Sequence, residues 1–353
     1  MGASGAEYHS KRGRAVAIGT ATATVGPGRA GSGTRTESGS ESGVAWATAN
    51  DPATIAPTRP ITSQGRLLPP GVTGMGGKLD PSRSDIRHTV HRAPYHGAMD
   101  LGLTGARALV GGGSRGLGGA IAETLAAEGA RVAVVSRPSP ALDAQAQRLR
   151  GLAVPADLST PDGPAAAVAA AAGAWGGLDL LVINSGGPPP GRFEDLDETA
   201  WQRALDGTLM SAVRLLRAAL PWLREGHDPA ILIVLSSSVR EPIPALSTSN
   251  LIRPGLAGLL KSLVEEIAPI RINGLAPGRL ATDRIGQLDA GRATAAGVDI
   301  DEIRRRTIQR IPLGRYGDPS ELGRVAAFLL SPAASYVTGA IVPVDGGMIK
   351  ALP

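Results

Sequence analysis

The sequence predicts an α/β protein built on a doubly wound parallel sheet and preceded by a long N-terminal extension. From residue 106 onward, short and strongly apolar runs alternate with longer segments that have helical spacing. The apolar runs are hydrophobic on both faces, which is typical of parallel strands covered by helices on each side of a sheet. A sheet of this kind binds its ligands at the carboxyl ends of its strands.

The strands are predicted from apolar runs, taken in chain order. They are ARALVG (106–111), RVAVVS (131–136), GLAVPAD (151–157), LDLLVINSG (178–186), AILIVLSSS (230–238), IRINGLAPG (270–278) and AIVPVDGG (340–347). Helical spacing predicts the helices at 118–130, at the Ala-rich 163–175, at 199–223, at 251–267 and at 319–331. This alternation favours a single Rossmann-type domain over residues 99–353.

Residues 1–98 form the extension. Gly, Ser, Thr and Pro dominate it, and it lacks a sustained helical or strand period. Such a segment buries too little apolar surface to offset its chain entropy, so we expect it to be disordered. Met99 opens MDLGLTGARALVGGG, which is typical of a protein start. We therefore expect the extension to come from a start codon assigned too far upstream.

Composition excludes several classes of function. Residues 1–98 carry 11 Lys/Arg and 6 Asp/Glu, whereas residues 99–353 carry 25 of each, so the balanced body does not support a nucleic-acid-binding face. The chain has no cysteine, which excludes disulfides, thiolate metal sites and cysteine nucleophiles. No apolar run approaches the ~18 residues of a membrane span. We expect a cytoplasmic protein without a membrane or nucleic-acid partner, and no metal site.

A glycine-rich turn follows the first strand and predicts a dinucleotide site. The pattern G-x-x-x-G-x-G falls at Gly112, Gly116 and Gly118. Glycine allows the backbone to turn tightly and to approach a pyrophosphate closely, and the helix that begins near Leu117 presents free N–H groups to that anion. Ser114 lies in the same turn.

The end of the second strand predicts which dinucleotide binds. An acid at this place would hold the ribose 2′-hydroxyl of NAD, but the sequence reads Ser136-Arg137. Arg137 and Arg115 are suited to pair with a 2′-phosphate. The pattern favours NADP over NAD, with two merely solvated arginines as the alternative.

These motifs, with the C-terminal segment PLGRYGDPSELGRVAAFLLSPAASYVTGAIVPVDGG, resemble the short-chain dehydrogenase/reductase family, close to the 3-oxoacyl-(acyl carrier protein) reductase type. The resemblance covers Met99 to Pro353. It implies a homo-oligomer, a dimer or tetramer, that acts on a small carbonyl, alcohol or acyl thioester. Its implied cofactor residues are Asp157 and Leu158 at the adenine, Asn184, Ser185 and Gly186 after the fourth strand, and Pro277, Gly278 and Thr282 near the nicotinamide.

The sequence departs from this family at the catalytic positions. In the family a tyrosine protonates the carbonyl oxygen, a lysine one turn later lowers the tyrosine's pKa and holds the nicotinamide ribose, a serine orients the carbonyl and an asparagine holds a water. Anchored on Lys261, the alignment places Ser249 at the tyrosine, Arg253 at the lysine, Ser238 at the serine and Thr208 at the asparagine. Only the serine is retained, and Ser236 or Ser237 is an alternative to it.

No other residue of the body is a clear replacement for the tyrosine. Tyr336 matches a structural position of the family, and Tyr316 lies in a loop before the last helix. The body's only histidine, His227, precedes the fifth strand and therefore lies at the wrong end of the sheet for catalysis.

The substituted residues retain some of the required chemistry. Arg253 is planar, permanently charged and rich in donors, so it suits ribose hydroxyls and an alkoxide. Ser238 and Ser249 could bond a carbonyl oxygen, with water as the proton source, and the general-acid factor of roughly 10²–10⁴ would be reduced or lost. Pro254 lies either inside this helix or in the first turn of a helix that starts later.

The segment after the sixth strand carries Arg279, Arg284, Arg292 and the run Arg304-Arg305-Arg306. The resemblance implies that this segment lines the substrate pocket. Its arginines then face either an anionic thioester substrate or solvent, where neighbouring acids balance them. We prefer the solvated arrangement.

We expect an NADP-dependent reductase of ketones or 3-oxoacyl compounds with an atypical active site. One alternative is a nucleotide-binding regulatory protein that does not turn over. A third, less favoured, is non-redox chemistry at the cofactor site.

Overall fold

The computed structural model describes residues 100–351. The expected disordered extension and the expected start at Met99 lie outside the described residues. The described part of the chain contains nine α-helices and seven strands, with two helices between β4 and β5 and three between β6 and β7. No helix in this part is both long enough and apolar enough to cross a membrane.

The seven strands form one parallel sheet in the order β3-β2-β1-β4-β5-β6-β7. The strands are β1 (Arg107–Gly111), β2 (Arg131–Ser136), β3 (Leu152–Pro155), β4 (Leu180–Ile183), β5 (Ala230–Val234), β6 (Arg271–Pro277) and β7 (Ile341–Val344). The chain runs outward from β1 to β3 and then returns to β4 on the other side of β1. A crevice opens at this reversal, above the carboxyl ends of β1 and β4.

Two helical layers cover the sheet. The helices are α1 (Gly116–Ala127), α2 (Pro140–Leu149), α3 (Gly163–Trp175), α4 (Glu198–Ala204), α5 (Ser211–Arg224), α6 (Ser247–Glu266), α7 (Asp283–Ala296), α8 (Ile300–Ile308) and α9 (Pro319–Leu330). One apolar core packs α3, α5 and α6 on the sheet, and a second core packs α1, α2 and α9 on the opposite face. The doubly wound fold is therefore confirmed.

Helix α2 is absent from the sequence prediction. Its apolar stripe of Leu142, Ala146 and Leu149 has helical spacing, but it is short and lies among polar residues directly after two prolines. Pro140 occupies the first helical turn, where a missing N–H costs nothing, and the Ser139 side chain accepts a hydrogen bond from the Leu142 N–H.

The helix predicted at 199–223 is interrupted. A π-helical segment, Leu205–Met210, joins α4 to α5. The Ser211 hydroxyl donates to the Gly207 carbonyl oxygen at 3.0 Å and so gives this carbonyl of the widened turn a hydrogen-bond partner. The segment places Thr208 in a buried position beside the sheet's carboxyl edge.

Helix α6 begins at Ser247 and includes Pro254 in its interior, so the later start considered from the sequence does not occur. Tertiary contacts hold the turn that precedes the proline. The Thr248 hydroxyl donates to the Pro189 carbonyl oxygen at 2.9 Å. The Asn250 amide exchanges two hydrogen bonds with the Ile243 backbone, at 3.0 and 2.9 Å.

A partly buried ion pair joins β1 to the chain just before β4, at the amino edge of the sheet. The Asp179 carboxylate accepts from the Arg107 backbone N–H and Nε at 2.8 Å, from Nη2 at 2.6 Å, and from the His227 N–H at 2.8 Å. Burial alone would raise the pKa of Asp179, but these hydrogen bonds and the guanidinium charge lower it overall.

Arg271 ties β6 to the end of α9. Its guanidinium donates to the carbonyl oxygens of Leu329 at 2.7 Å, Leu330 at 3.1 Å and Ser331 at 3.0 Å. These carbonyls lie at a helix C-terminus and lack intrahelical donors, so the arginine caps the helix.

Candidate functional site

A cavity of about 630 Å³ lies at the carboxyl edge of the sheet, where the fold predicts a ligand. A smaller cavity of about 230 Å³ adjoins it. The two cavities share eight lining residues, which are Leu117, Gly187, Pro188, Leu235, Arg253, Gly278, Arg284 and Ile285. The site is therefore one cleft with a large and a small compartment.

The glycine-rich turn forms one wall of the large cavity. Gly112 and Gly116 have φ values of 55° and 60°, in the left-handed region that glycine adopts without strain. A Cβ at Gly118 would lie 2.4 Å from the Gly112 carbonyl oxygen, so only glycine allows this close packing. Ser114, Arg115, Gly116 and Leu117 line the cavity with Gly112, whereas Gly118 lies behind them.

The N-terminus of α1 opens onto the same wall. Arg115 stands at its cap position and supplies no side-chain hydrogen bond to the first turn. The free N–H groups and the positive end of the helix dipole suit an anion such as a pyrophosphate. The cradle therefore fits a dinucleotide.

The far end of the large cavity carries the residues expected around an adenosine. Arg137, Asp157 and Leu158 all line it. The Asp157 carboxylate accepts from the Ser159 N–H at 2.9 Å and from its hydroxyl at 2.7 Å. These hydrogen bonds, helped by the charge of Arg137, lower the pKa of Asp157. The aspartate is therefore ionised and fixed in orientation at neutral pH.

Asn184, Ser185 and Gly186 line the centre of the large cavity. The Asn184 side-chain amide donates to the Gly111 carbonyl oxygen at 3.0 Å, which ties the end of β4 to the glycine-rich turn. Asn184 thus holds the two sides of the crevice together.

The loop after β6 contributes to both compartments. Pro277 lines the small cavity, Gly278 lines both and Thr282 lines the large one. The Thr282 hydroxyl accepts from the Ile285 N–H at 3.4 Å and so caps α7. The residues expected beside a nicotinamide therefore lie at the junction of the two cavities.

Ser249 and Arg253 lie one turn apart on the buried face of α6. Ser249 lines the small cavity and Arg253 lines both. Arg253 Nη1 donates to the Val234 carbonyl oxygen at 2.5 Å, at the end of β5. No carboxylate of the described residues forms a salt bridge with it. Burial lowers the pKa of Arg253 to about 10, so it remains charged at neutral pH.

Three neighbouring serines divide between the cavity wall and the layer behind it. Ser236 and Ser237 line the small cavity. Ser238 lies behind Ser249, with 3.4 Å between the two hydroxyl oxygens, and lines neither cavity. Thr208 lines the large cavity from the π-helical segment.

The remaining tyrosines and the histidine of the body lie elsewhere. The Tyr316 hydroxyl donates to Asp289 Oδ2 at 2.8 Å, and its pKa is raised by burial and by that hydrogen bond. Tyr336 is fully exposed, and His227 lies at the amino edge of β5. Among the described residues, no tyrosine or histidine lines either of these two cavities.

Some lining residues carry no motif that singles them out in the sequence. Arg203 on α4 lines the large cavity, whereas Glu241 and Arg310 line the small one. The chain fold alone brings them to the cleft. The described residues contain no cluster of three or more side chains suited to bind a metal.

Comparisons with known proteins find similarity to oxidoreductases. A family profile described as enoyl-(acyl carrier protein) reductase matches residues 112–349. The chain is 33% identical to an uncharacterized oxidoreductase of Mycobacterium tuberculosis, over 68% of this chain and 91% of that protein. It is 32% identical to the 3-oxoacyl-(acyl-carrier-protein) reductase FabG of Vibrio cholerae, over 70% of this chain and 99% of that protein.

A solved structure gives the same result. The chain is similar to L-sorbose reductase from Gluconobacter frateurii, complexed with NADPH and L-sorbose, with 31% identity and a TM-score of 0.68. The match covers 72% of this chain and all of that protein. The profile match, the identity to oxidoreductases and the shared fold agree, and the chain belongs to the short-chain dehydrogenase/reductase family.

Proposed function

We propose that this protein is an NADP-dependent oxidoreductase that reduces a ketone or 3-oxoacyl carbonyl to an alcohol through an atypical active site. The observation that carries the proposal is the position of Arg253: a buried, charged guanidinium without a carboxylate partner among the described residues, at the junction of the two cavities. Such a charge suits an alkoxide that develops on the substrate.

The cofactor would occupy the large cavity. The glycine-rich turn and the N-terminus of α1 would hold its pyrophosphate, and Asp157 would face its adenine. Arg115 and Arg137 support NADP, because both line the cavity where a 2′-phosphate would lie and no acid takes that place at the end of β2. When bound, the dinucleotide supplies a hydride.

The residues at the junction would bind and orient the carbonyl. Ser249 offers a hydroxyl from the wall of the small cavity, and Ser238 supports that hydroxyl from behind. Arg253 stays protonated at neutral pH because its pKa lies near 10, so it stabilises negative charge rather than acting as the proton source. Water would then protonate the alkoxide.

A second candidate is a nucleotide-binding protein that does not turn over. The observation in its favour is that no tyrosine of the described residues lines either cavity, so the cleft lacks a phenol general acid. General acids contribute roughly 10²–10⁴ in rate, and their loss can leave binding without useful catalysis.

One experiment separates the two candidates. Full-length protein is titrated with NADPH and NADH, and NADPH absorbance is then followed with ketones and 3-oxoacyl thioesters. The reductase predicts turnover that is lost in Arg253→Ala and reduced in Ser249→Ala, with Tyr336→Phe as a control because Tyr336 is fully exposed. Tight NADPH binding without turnover favours the second candidate, and absence of nucleotide binding excludes both.

We also propose that the chain forms a homo-oligomer. Trp222 on α5 is 40% exposed and Leu251 on α6 is 60% exposed, although both are large apolar side chains. These exposed apolar groups lie on two long helices of the same layer, and each is suited to contact a second copy. Light scattering should give a mass above that of one chain, and Trp222→Glu with Leu251→Glu should reduce it. A wild-type mass equal to one chain contradicts this proposal.

A further inference from the structure

The small cavity has an unusual concentration of guanidinium groups. Its volume of about 230 Å³ lies below the roughly 300–1,000 Å³ of drug-sized ligand sites. Apolar side chains such as Ile243, Leu288 and Ile349 form part of its wall. Its lining arginines are Arg253, Arg279, Arg284, Arg292 and Arg310, against the single carboxylate of Glu241.

One of these arginines is neutralised by a buried acid. Arg279 Nη1 lies 3.4 Å from Asp289 Oδ1, and the other carboxylate oxygen of Asp289 accepts from the Tyr316 hydroxyl at 2.8 Å. This buried triad braces α7 against the loop after β6. Arg279 therefore contributes structure rather than a free positive charge.

Arg284 has no such partner among the described residues. Its Nη2 donates to the Pro188 carbonyl oxygen at 2.7 Å, and no salt bridge within residues 100–351 includes it. Burial lowers its pKa, and no acid opposes that effect. A Cβ at Gly187 would lie 2.8 Å from Arg284 Nε, so this glycine makes room for the guanidinium.

Arg284 and Arg253 share the wall between the two cavities. Each is held by one backbone carbonyl oxygen, which fixes its position without cancelling its charge. No buried side-chain nitrogen of the described residues lacks a hydrogen-bond partner, so the remaining guanidinium donors are accessible from the cleft. Placing two like charges without a carboxylate partner on one partly buried wall is costly, and a bound anion would offset that cost.

We infer that the substrate is a small oxoacid, a carbonyl compound with its own carboxylate, and that Arg284 binds that carboxylate in the small cavity. The inference rests on the proposed reductase function and names its substrate class. A guanidinium matches a carboxylate with two parallel hydrogen bonds. The apolar wall suits a short hydrocarbon body, and Arg253 is left to face the carbonyl oxygen. Arg284 is thus a specificity-determining residue.

The test compares acids with their uncharged esters. Full-length protein saturated with NADP⁺ is titrated by calorimetry with phenylpyruvate and 4-oxopentanoate, and separately with their methyl esters. We expect at least one acid to bind about 10- to 100-fold more tightly than its ester, the range for hydrogen bonds to charged groups. Arg284→Gln should abolish this preference without weakening ester binding, and Arg284→Lys should retain part of it.

The control is Arg304→Gln, because Arg304 is an exposed arginine of α8 that pairs with Asp301 at 3.0 Å. It should bind both ligands as the wild type does. Equal binding of acid and ester, binding of neither, or loss of NADP⁺ affinity instead of acid preference in Arg284→Gln overturns the inference. If the wild type fails to bind NADP⁺, the reductase proposal fails, and the same titration on free protein still decides whether the cavity selects a carboxylate.

Discussion

Replacing Arg253 with methionine should stabilise the fold while it removes activity. The side chain is buried, and burial lowers its pKa to about 10. At about 1.4 kcal/mol per tenfold change in acidity, this corresponds to roughly 3 kcal/mol against the charged form. Methionine avoids that cost but loses the hydrogen bond to the Val234 carbonyl oxygen, about 1–2 kcal/mol. We expect a net gain of about 1–2 kcal/mol, or a Tm higher by roughly 2–8 °C.

Urea unfolding of the full chain at pH 7, without cofactor, measures this difference. We choose pH 7 because the contribution of Arg253 to the free energy of unfolding depends on pH. The pKa of Arg253 is lower in the folded state than in the unfolded state. Above about pH 10 the folded protein therefore loses this proton before the unfolded chain does, and the free energy of unfolding rises with pH. Below that pH the full cost of burial is present, so a measurement at neutral pH records all of it.

Arg271→Met is the matched control. Arg271 is also partly buried with a lowered pKa, but its guanidinium caps three carbonyl oxygens at the end of α9. Removing it leaves those acceptors unpaired, and we expect a loss of about 3 kcal/mol. If Arg253→Met destabilises the protein as much as Arg271→Met does, Arg253 is a structural arginine and the reasoning about its uncompensated charge is wrong.

Three further changes test the site and the fold. Gly118→Ala should weaken NADPH binding at least tenfold by calorimetry, because the new Cβ meets the Gly112 carbonyl oxygen at 2.4 Å; unchanged affinity would contradict this. Arg137→Glu should lower the preference for NADPH over NADH, measured as the ratio of kcat/KM values, by about 10- to 100-fold. Asp179→Ala should cost about 3 kcal/mol at pH 7 by leaving Arg107 unpaired. That difference should shrink as acid protonates Asp179, whose lowered pKa makes its contribution present at neutral pH and lost as pH falls below its ordinary range.

The strands and most helices follow from the sequence because apolar periodicity decides them. All seven predicted strands are present, since each is an apolar run buried between two helical layers. Helix α2 is missed because its apolar stripe of Leu142, Ala146 and Leu149 is short and lies among polar residues that follow two prolines. The start of α6 also depends on long-range contacts: Thr248 bonds Pro189, 59 positions away, and no local pattern reports this.

The site is predicted unevenly for the same reason. The glycine-rich turn is predictable because its motif is contiguous in the sequence, and its position at the large cavity follows from the strand that precedes it. Residue spacing predicts Ser238 at the family serine, but a short 3-10 turn at Ser237–Val239 places Ser236 and Ser237 on the wall while Ser238 lies behind. The solvated arrangement preferred from the sequence fits Arg304 but not Arg284, which reaches a carbonyl oxygen 96 positions away and lines the cleft.

The wall shared by the two cavities has a kinetic consequence. Leu117, Arg253 and Arg284 face both compartments, so a nucleotide in the large one covers one side of the small one. A substrate that arrives first meets an incomplete site and would obstruct the nucleotide's path. We therefore expect ordered addition, with the nucleotide entering first and leaving last. Because coupling between two ligands is reciprocal in binding free energy, a substrate that binds better to the nucleotide-loaded protein also raises the equilibrium affinity for the nucleotide.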